Sequence, residues 1–366
     1  MVYERNYGID LLRILSMFMV VLLHLCGFGG VLSNVKPFSV NYYIAWFLEI
    51  VSYCAVDVFA LISGFVGVKS SFKYSNLAFL WVRVFFYSFG ITLIFLIYDH
   101  NIVSFKDLIK SIFPVLSNQY WYFSAYFVLC LFIPLLNYIL NNLERGVLLC
   151  SIVLVTSLLS FQQVVVRKDI FCVGKGYSPW WLLILYLIGG YIKIYLSKKK
   201  FLHKKLIIGY CTMILITLFS KIFIQYISIK VLGKNIDGGI LIDYVSPTVI
   251  IASILLVLIF RNINFRGYSI KIISFFSPLA FSVYLIHNNN LINKYIIIDC
   301  LKQIVDLKWY LFVIVIMGST ICIYILCSMI DLIRVLLFKK FKVKKKIEFF
   351  GKRYQFLKCE LRDRLS

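Results

Sequence analysis

One stretch near the start of the chain, residues 7–28, is long and apolar enough to cross a bilayer, yet it carries three ionisable side chains, those of Asp10, Arg13 and His24. An ionisable group at the centre of a membrane helix costs at least ~2.5–3.5 kcal/mol, so three in one span require partners or a chemical task. Arg13 and His24 are eleven residues apart. They therefore project from one helix face, about 16 Å apart along the axis. The stretch is either one side of a chemical site, or a snorkelling arginine followed by a packing histidine.

The whole chain has the composition of an integral membrane protein. Of its 366 residues, 61% are hydrophobic and 15% are charged, and its mean hydropathy is +0.90. Soluble domains are about 45–50% apolar and about 25% charged, and a membrane helix needs roughly 20 apolar residues. The sequence therefore predicts an all-α integral membrane protein with about ten transmembrane helices, at 8–28, 44–67, 77–98, 120–139, 146–163, 178–196, 205–224, 244–260, 271–292 and 309–331.

Lysine and arginine are distributed unevenly between the two sides of these spans. With a cytoplasmic N-terminus, the inner segments carry 25 of them, 12 from Arg334 onward, and the outer loops carry 12, Lys221 among them. Cytoplasmic loops carry the excess positive charge in membrane proteins, so both termini are predicted to be cytoplasmic. We expect a membrane domain over 1–338, a basic amphipathic cytoplasmic tail over 339–366, and no cleavable signal.

The formal net charge of +23 mostly reflects this bias. Its basic residues are scattered over inner loops rather than gathered in one groove, which argues against a nucleic-acid partner. Five lysines within 197–205 predict contact with anionic lipid at the inner surface. The ten cysteines lie mainly inside spans without metal-ligand spacing, so no metal site is predicted. Cys172 and Cys300 fall in outer loops and could form a disulfide.

The second span adds two carboxylates to the membrane interior. Counting 1.5 Å per residue from the membrane edges puts Asp57 at the depth of Arg13, and Glu49 at the depth of His24. Each pair could therefore form between neighbouring helices. The same count puts His287, in the ninth span, level with His24. The first two spans thus carry ionisable groups at two different depths of the membrane. An ion pair with a purely structural role would need only one such depth.

Three further elements contribute polar or aromatic side chains. Arg83 in the third span reaches the inner level, and Ser63 lies in the run after Asp57. The ninth span is interrupted by Pro278, which removes a backbone donor and predicts a kink. Beyond that proline it carries Tyr284, His287 and Asn288.

Two aromatic clusters mark the outer starts of the fourth and sixth spans. The first contains Trp121 and Tyr122, and the second contains Tyr177, Trp180 and Trp181. Such clusters are typical of the interfacial belt of a membrane protein. The alternative is a platform on which a sugar ring stacks.

Four sequence elements carry a resemblance to a known family. Arg13 and His24 fit an Arg/Lys-x10-His signature in the first span. VDVFALISGF at 56–65 resembles an Asp-x-Phe-Phe-x-x-Ser-Gly-Phe motif, WYFSAYFVLCLFIPLLN at 121–137 resembles a Trp-Phe…Pro-Leu-Leu span, and FSVYLIH at 281–287 resembles a Ser-x-Tyr-Leu-x-His element. In these elements the chain resembles the membrane acyltransferase-3 family, bacterial O-acyltransferases that modify surface polysaccharides.

The resemblance covers about residues 6–330 and departs from the family at one place. Where the family often has paired arginines at the start of the third span, this chain has Arg83 and Leu80. The resemblance implies an acyl-CoA co-substrate, most simply acetyl-CoA, with no permanently bound cofactor. It also implies a glycan or lipid-linked saccharide acceptor and a multi-pass location in the bacterial inner membrane.

The resemblance also implies roles for the residues above. His24 is the expected general base, or alternatively the nucleophile of an acyl-histidine route, because imidazole titrates near neutral pH. Glu49 or His287 would orient it. The expected donor-binding residues are Arg13, Arg83, Asp57 and Ser63, with arginine suited to phosphate and Asp57 holding Arg13. The expected acceptor-binding residues are Trp121, Tyr122, Trp180, Trp181, Tyr284 and Asn288.

Two other classes of protein share these features. A glycan exporter or polymerase is also polytopic and aromatic-rich, but it usually has more spans or a large outer loop. A proton-coupled transporter would use buried Arg, Asp and His side chains as a relay. Inverted repeats are expected in such a transporter, and none is evident in the sequence.

Overall fold

The computed structural model describes residues 5–70, 72–349 and 351, and this part of the chain is helical with no strand. Its α-helices are, in chain order, α1 (Tyr7–Gly27), α2 (Val31–Asn34), α3 (Val40–Tyr53), α4 (Ala55–Gly67), α5 (Tyr74–Tyr98), α6 (Phe105–Ile112), α7 (Trp121–Asn142), α8 (Arg145–Phe161), α9 (Pro179–Tyr191), α10 (His203–Leu232), α11 (Pro247–Phe260), α12 (Tyr268–Phe276), α13 (Ala280–His287), α14 (Asn290–Ile292) and α15 (Trp309–Lys340). One-turn π-helical extensions follow α8, α9 and α14.

The predicted all-α, multi-span architecture is confirmed. Within the described ranges, nine helical segments are long and apolar enough to cross a membrane, by length and composition. The predicted span at 244–260 corresponds to α11, which has only 14 residues. Such a helix covers about 21 Å, less than the ~30 Å of a bilayer's hydrocarbon core.

Helix α1 lies at the centre of the bundle and contacts α3, α4, α11, α12, α13 and α15. It begins where the Asn6 side chain accepts a hydrogen bond from the backbone N–H of Ile9 at 3.0 Å, a standard N-cap. Gly8 allows α1 to pack directly on the end of α11, because a Cβ there would lie 1.9 Å from the carbonyl oxygen of Phe260. The residues of the first span are thus positioned from several sides.

Two of the predicted spans are broken rather than continuous. The second divides at Cys54 into α3 and α4. The ninth divides between α12 and α13 around Pro278, as the missing backbone donor of proline predicts. Each break changes the direction in which the side chains after it point.

Helices α4 and α9 pack with their backbones in contact. A Cβ at Gly64 would lie 2.0 Å from the carbonyl oxygen of Tyr186, and a Cβ at Gly189 would lie 2.0 Å from that of Leu61. Small residues permit such close approach in membrane proteins. The glycine of the Ser-Gly-Phe sequence therefore serves helix packing.

Two predictions about the ends of the spans are corrected. Lys221 lies inside α10 rather than in an outer loop, and Arg334 lies inside α15 rather than beyond the last span; both are buried. Helix α15 runs to Lys340, and of the predicted tail 350 and 352–366 lie outside the described residues. The possible Cys172–Cys300 disulfide is wrong, since both thiols are free.

Candidate active site

A cavity of about 310 Å³ opens between α1, α3, α4, α7 and α13. Six of the residues predicted from sequence line it: His24, Glu49, Trp121, Tyr122, Tyr284 and Asn288. The other lining residues are Met17, Val20, Leu23, Gly27, Phe28, Tyr53, Val56, Phe59, Tyr177, Tyr244 and Phe281. Helices that are far apart in the sequence thus bring the imidazole, the carboxyl group and the aromatic rings to one space.

A hydrogen bond joins two histidines at the wall of this cavity. Nδ1 of His24 lies 2.8 Å from Nε2 of His287, and Nδ1 of His287 lies 2.6 Å from the carbonyl oxygen of Val283. A carbonyl only accepts, so Nδ1 of His287 carries a proton and, in the neutral ring, its Nε2 accepts. His24 must then donate from Nδ1, which leaves a lone pair on its Nε2. His24 is therefore held in the tautomer that a general base requires.

The sequence around this cavity matches a known protein family. The acyltransferase-3 family model, described as an acyltransferase domain, matches residues 6–329. The chain belongs to this acyltransferase family. The predicted membership is confirmed, and the matched range contains every residue of the cavity. No curated protein and no solved structure matches the chain.

Polar groups that line the acyltransferase cavity are buried without protein partners. Among them, Oε2 of Glu49 and the hydroxyl of Tyr122 form no hydrogen bond with the residues that the structure describes. Buried polar atoms are rarely left so, and exceptions occur where a ligand or water completes the site. The predicted His24–Glu49 pair is wrong, because His24 bonds to His287 instead. Depth along a helix axis, the basis of that prediction, does not fix the direction in which a side chain points.

Aromatic rings form the wall at one end of the cavity. Tyr177 lies 4.4 Å from Trp121 and 5.0 Å from Tyr244 between ring centroids, and Tyr244 lies 4.8 Å from Tyr53. Tyr177 and Phe28 are each 48% exposed, so this end is the entrance. Tyr53 and Tyr244 were not predicted to belong to the site, since Tyr53 lies in the middle of the second predicted span and neither residue belongs to the two aromatic clusters.

Charged side chains hold the loop that carries Tyr244. The Asp243 carboxylate lies 3.6 Å from Nζ of Lys175 and accepts a hydrogen bond from Gln163 at 3.0 Å. Burial raises the pKa of the Asp243 carboxyl group, and the Lys175 ammonium opposes that rise. This contact ties the loop before α11 to the loop before α9, which fixes two walls of the entrance.

The opposite end of the cavity is apolar and leads toward Arg13. Met17 and Val20 line the cavity and lie on the same helical stripe as Arg13 and His24. The guanidinium of Arg13 is therefore one turn beyond the cavity floor. Its side chain is 31% exposed, so the Arg13 guanidinium is accessible at this end.

The partner of Arg13 is Asp10, and the predicted Arg13–Asp57 pair is wrong. Nη1 of Arg13 lies 3.0 Å from Oδ1 of Asp10 and 3.2 Å from the Ser277 hydroxyl, which itself donates to Asp10 at 3.1 Å. Arg5 contacts the other carboxylate oxygen at 2.5 Å. The i, i+3 spacing of Asp10 and Arg13 was the sequence signal for this pair.

Asp57 faces α9 because the break at Cys54 turns it away from α1. Its Oδ1 accepts a hydrogen bond from the indole N–H of Trp181 at 3.1 Å. Its other oxygen has no hydrogen-bond partner in the described part of the chain. Asp57 lies in the first turn of α4, where the helix dipole favours a negative charge.

The acceptor prediction for the sixth span is also corrected. Trp181 is fully buried against Asp57, and Trp180 is 51% exposed and packs on Phe132. Neither tryptophan lines the cavity, whereas the nearby Tyr177 does. Consecutive helical residues point about 100° apart, so the two tryptophans could not share one role.

Two predicted donor residues have internal partners. The Ser63 hydroxyl donates to the carbonyl oxygen of Phe59 at 2.9 Å and lies 3.3 Å from the Tyr126 hydroxyl. Arg83 donates to the Ser282 hydroxyl at 2.9 Å and is held by Asp331. Neither Ser63 nor Arg83 lines the cavity. The sequence analysis overlooked Asp331, an acidic residue inside an apolar span.

Proposed function

We propose that the protein is a membrane O-acyltransferase that moves an acetyl group from acetyl-CoA to a hydroxyl of a cell-surface polysaccharide or of its lipid-linked precursor. The family supplies the reaction class. The observation that carries the proposal is the hydrogen-bonded pair of His24 and His287 at the cavity wall. It leaves Nε2 of His24 as a base within a space large enough for a reacting hydroxyl and a thioester.

In the proposed reaction, Nε2 of His24 takes the proton of the acceptor hydroxyl. The acceptor oxygen then bonds to the thioester carbon, the C–S bond breaks, and the leaving thiolate takes the proton back from His24. His287 accepts from Nδ1 of His24 throughout and stabilises the transient imidazolium. An acyl-histidine route would begin at the same lone pair, with Nε2 attacking the thioester carbon.

The two substrates would use opposite ends of the cavity. Arg13 offers an exposed guanidinium one turn below the cavity floor, suited to the phosphates of coenzyme A. An extended pantetheine arm can span much of the ~16 Å between Arg13 and His24. The nucleotide would stay at the Arg13 end, which we assign to the cytoplasmic side of the inner membrane. Anionic lipid would contact the lysines of 197–205 on that side.

The acceptor would enter past the aromatic rings at the other end. Sugar rings present apolar faces to aromatic side chains, and their hydroxyls would satisfy the buried groups of Glu49 and Tyr122. Tyr284 and Asn288 line the same space. The chemistry of the lining therefore supports a carbohydrate acceptor. Glu49 would form hydrogen bonds with this substrate rather than orient His24.

The test is transfer of radiolabel from acetyl-CoA. Membranes containing the wild-type protein should incorporate label into a glycan or lipid-linked saccharide fraction, and membranes containing His24→Ala should not. Label that entered the glycan equally with both proteins would contradict the proposal. Movement of an unmodified saccharide across the membrane, without incorporation, would favour a transporter.

A further inference from the structure

A buried charged cluster lies on α5 and α15, outside the cavity. The Asp331 carboxylate contacts Arg334 twice, with Nε–Oδ1 at 2.6 Å and Nη2–Oδ2 at 3.0 Å. The hydroxyl of Tyr87 donates to Oδ1, and Nη2 of Arg83 lies 3.2 Å from Oδ2. Asp331 is fully buried, and none of the four residues lines the cavity.

Such a cluster is a costly way to stabilise a membrane protein. Charged groups inside a membrane lose their hydration, and a buried ion pair is often no more stabilising than apolar residues of the same volume. The contacts that its members make outside the cluster indicate a functional role.

The remaining donors of Arg83 hold the start of α13. Its Nε donates to the Ser282 hydroxyl at 2.9 Å, and its Nη2 donates to the carbonyl oxygen of Pro278 at 2.8 Å. These contacts lie at the break between α12 and α13, where Pro278 has no backbone N–H to continue the helix. Arg83 therefore supplies hydrogen bonds at the point where the backbone is weakest.

Helix α13 has eight residues, about two turns, and ends at His287. Its first turn is fixed by Arg83, and its last residue bonds to His24 at 2.8 Å. A tilt at Ser282 would move His287 relative to His24. We propose that Asp331 is a positioning residue, which orients Arg83 so that Arg83 fixes α13 and thereby the contact between His287 and His24. This inference rests on the proposed function.

A positioning role and a donor-binding role for Arg83 differ in their kinetics. Asp331→Asn keeps the size of the side chain and removes its charge, so Arg83 loses its orientation. A misplacement of about 1 Å can lower a rate about 100-fold, and we expect kcat to fall by about tenfold to 100-fold. The KM for acetyl-CoA should not change. A rise in that KM would instead indicate that Arg83 binds the donor's phosphates, as the sequence analysis expected.

A second variant tests the link without disturbing any charge. Ser282→Ala removes the hydrogen bond from Arg83 and leaves the ion cluster intact, so it decides the matter even if Asp331→Asn does not accumulate. Kinetic losses from the two changes should not add, because both act through one contact chain. Fully additive losses, or wild-type kcat in Ser282→Ala, would overturn the inference.

The control is a second ion pair that contains a buried cation. Nζ of Lys221, which is buried in α10, lies 2.7 Å from Asp237, whose side chain is 70% exposed. Asp237→Asn likewise leaves a buried cation without its carboxylate, yet kcat per folded molecule should stay near that of the wild type. An equal loss of kcat in this control would show that removing the carboxylate from any buried cation has the effect.

A readout independent of activity separates this inference from the proposed function. The chain has four histidines, so ¹⁵N signals of the imidazoles can be assigned by single substitutions. The wild-type spectrum should show His24 with its proton on Nδ1, and Asp331→Asn should lose that preference. Unchanged histidine signals in Asp331→Asn would overturn the inference, whereas wild-type protein that transfers no acetyl group would overturn the function alone.

Discussion

The imidazoles of His24 and His287 meet at 2.8 Å, Nδ1 to Nε2, with the second ring anchored on the carbonyl oxygen of Val283. Under the proposed function, this chain of hydrogen bonds resembles a catalytic triad in which His287, anchored by the carbonyl, takes the place of the acid beside the base. The carbonyl fixes one tautomer of His287, so that Nδ1 of His24 donates and its Nε2 keeps a lone pair. In the proposed role of base, His24 would therefore need no carboxylate beside it.

The first prediction concerns the two histidines. His24→Ala should lower acetyl transfer at least 100-fold while the protein remains folded, because a general base typically contributes 10²–10⁴-fold. The rate of label incorporation into the glycan fraction, per folded protein, measures this. The exposed His100 provides the control, since His100→Ala should behave as wild type.

The same pair predicts strong non-additivity. His287→Ala should reduce the rate less than His24→Ala does, and the double variant should be no slower than His24→Ala alone, because the two residues act as one unit. If more than about a tenth of the activity survived in His24→Ala, neither the base nor the nucleophile role would stand.

The second prediction separates the two tryptophans that the sequence treats alike. Trp121 lines the cavity and Trp180 does not. Trp121→Ala should raise the KM for the glycan and leave the KM for acetyl-CoA near the wild-type value, since a binding loss appears in KM. Trp180→Ala is the matched control and should change neither constant. An effect of Trp121→Ala on the donor alone would mean that both substrates enter from one end.

Part of the cavity lining could be predicted because polar side chains are conspicuous in apolar spans. His24, Glu49 and Tyr284 stand out in this way and line the cavity, whereas their roles stay predictions. Counting residues along a span gives the depth of a side chain in the membrane. The depths predicted that α1, α3 and α13 meet at one level, and all three helices line the cavity.

The partners could not be predicted because depth does not give rotation about the helix axis. The break at Cys54 turned Asp57 toward Trp181, and no composition signal marks that break. Asp331 and Arg334 were different, since their i, i+3 spacing inside a span was visible in the sequence. Asp331 is the last residue of the predicted span and Arg334 lies beyond it, so the prediction did not place the two residues in one helix.

The third prediction concerns helix packing. A Cβ at Gly64 would meet the carbonyl oxygen of Tyr186 at 2.0 Å, so Gly64→Ala must separate α4 from α9. Such overpacking costs about 1–3 kcal/mol, and the thermal midpoint in detergent should fall. Gly90→Ala is the control, because a Cβ there has no atom within 4 Å. Removing a mid-helix glycine should stabilise α5 by about 0.5–1 kcal/mol, so an equal drop in both variants would refute the packing role.

The last prediction decides between two partners for Arg13. The structure pairs it with Asp10 at 3.0 Å, while Asp57 bonds to Trp181. Groups in contact show interaction energies of about 0.5–3 kcal/mol, and independent groups add within about 0.3–0.5 kcal/mol. In thermal or denaturant unfolding, Arg13→Ala combined with Asp10→Ala should therefore be non-additive, and Arg13→Ala combined with Asp57→Ala should be additive.

The same variants report on the donor. Arg13→Ala should raise the KM for acetyl-CoA, because it removes the accessible guanidinium below the cavity floor, whereas Asp57→Ala should leave that KM near the wild-type value. Arg13→Lys should restore part of the affinity, since lysine keeps the charge but lacks the fork of donors that matches a phosphate. Coupling between Arg13 and Asp57, with none between Arg13 and Asp10, would reverse the assignment. The donor end of the cavity would then lie along α4 rather than at the start of α1.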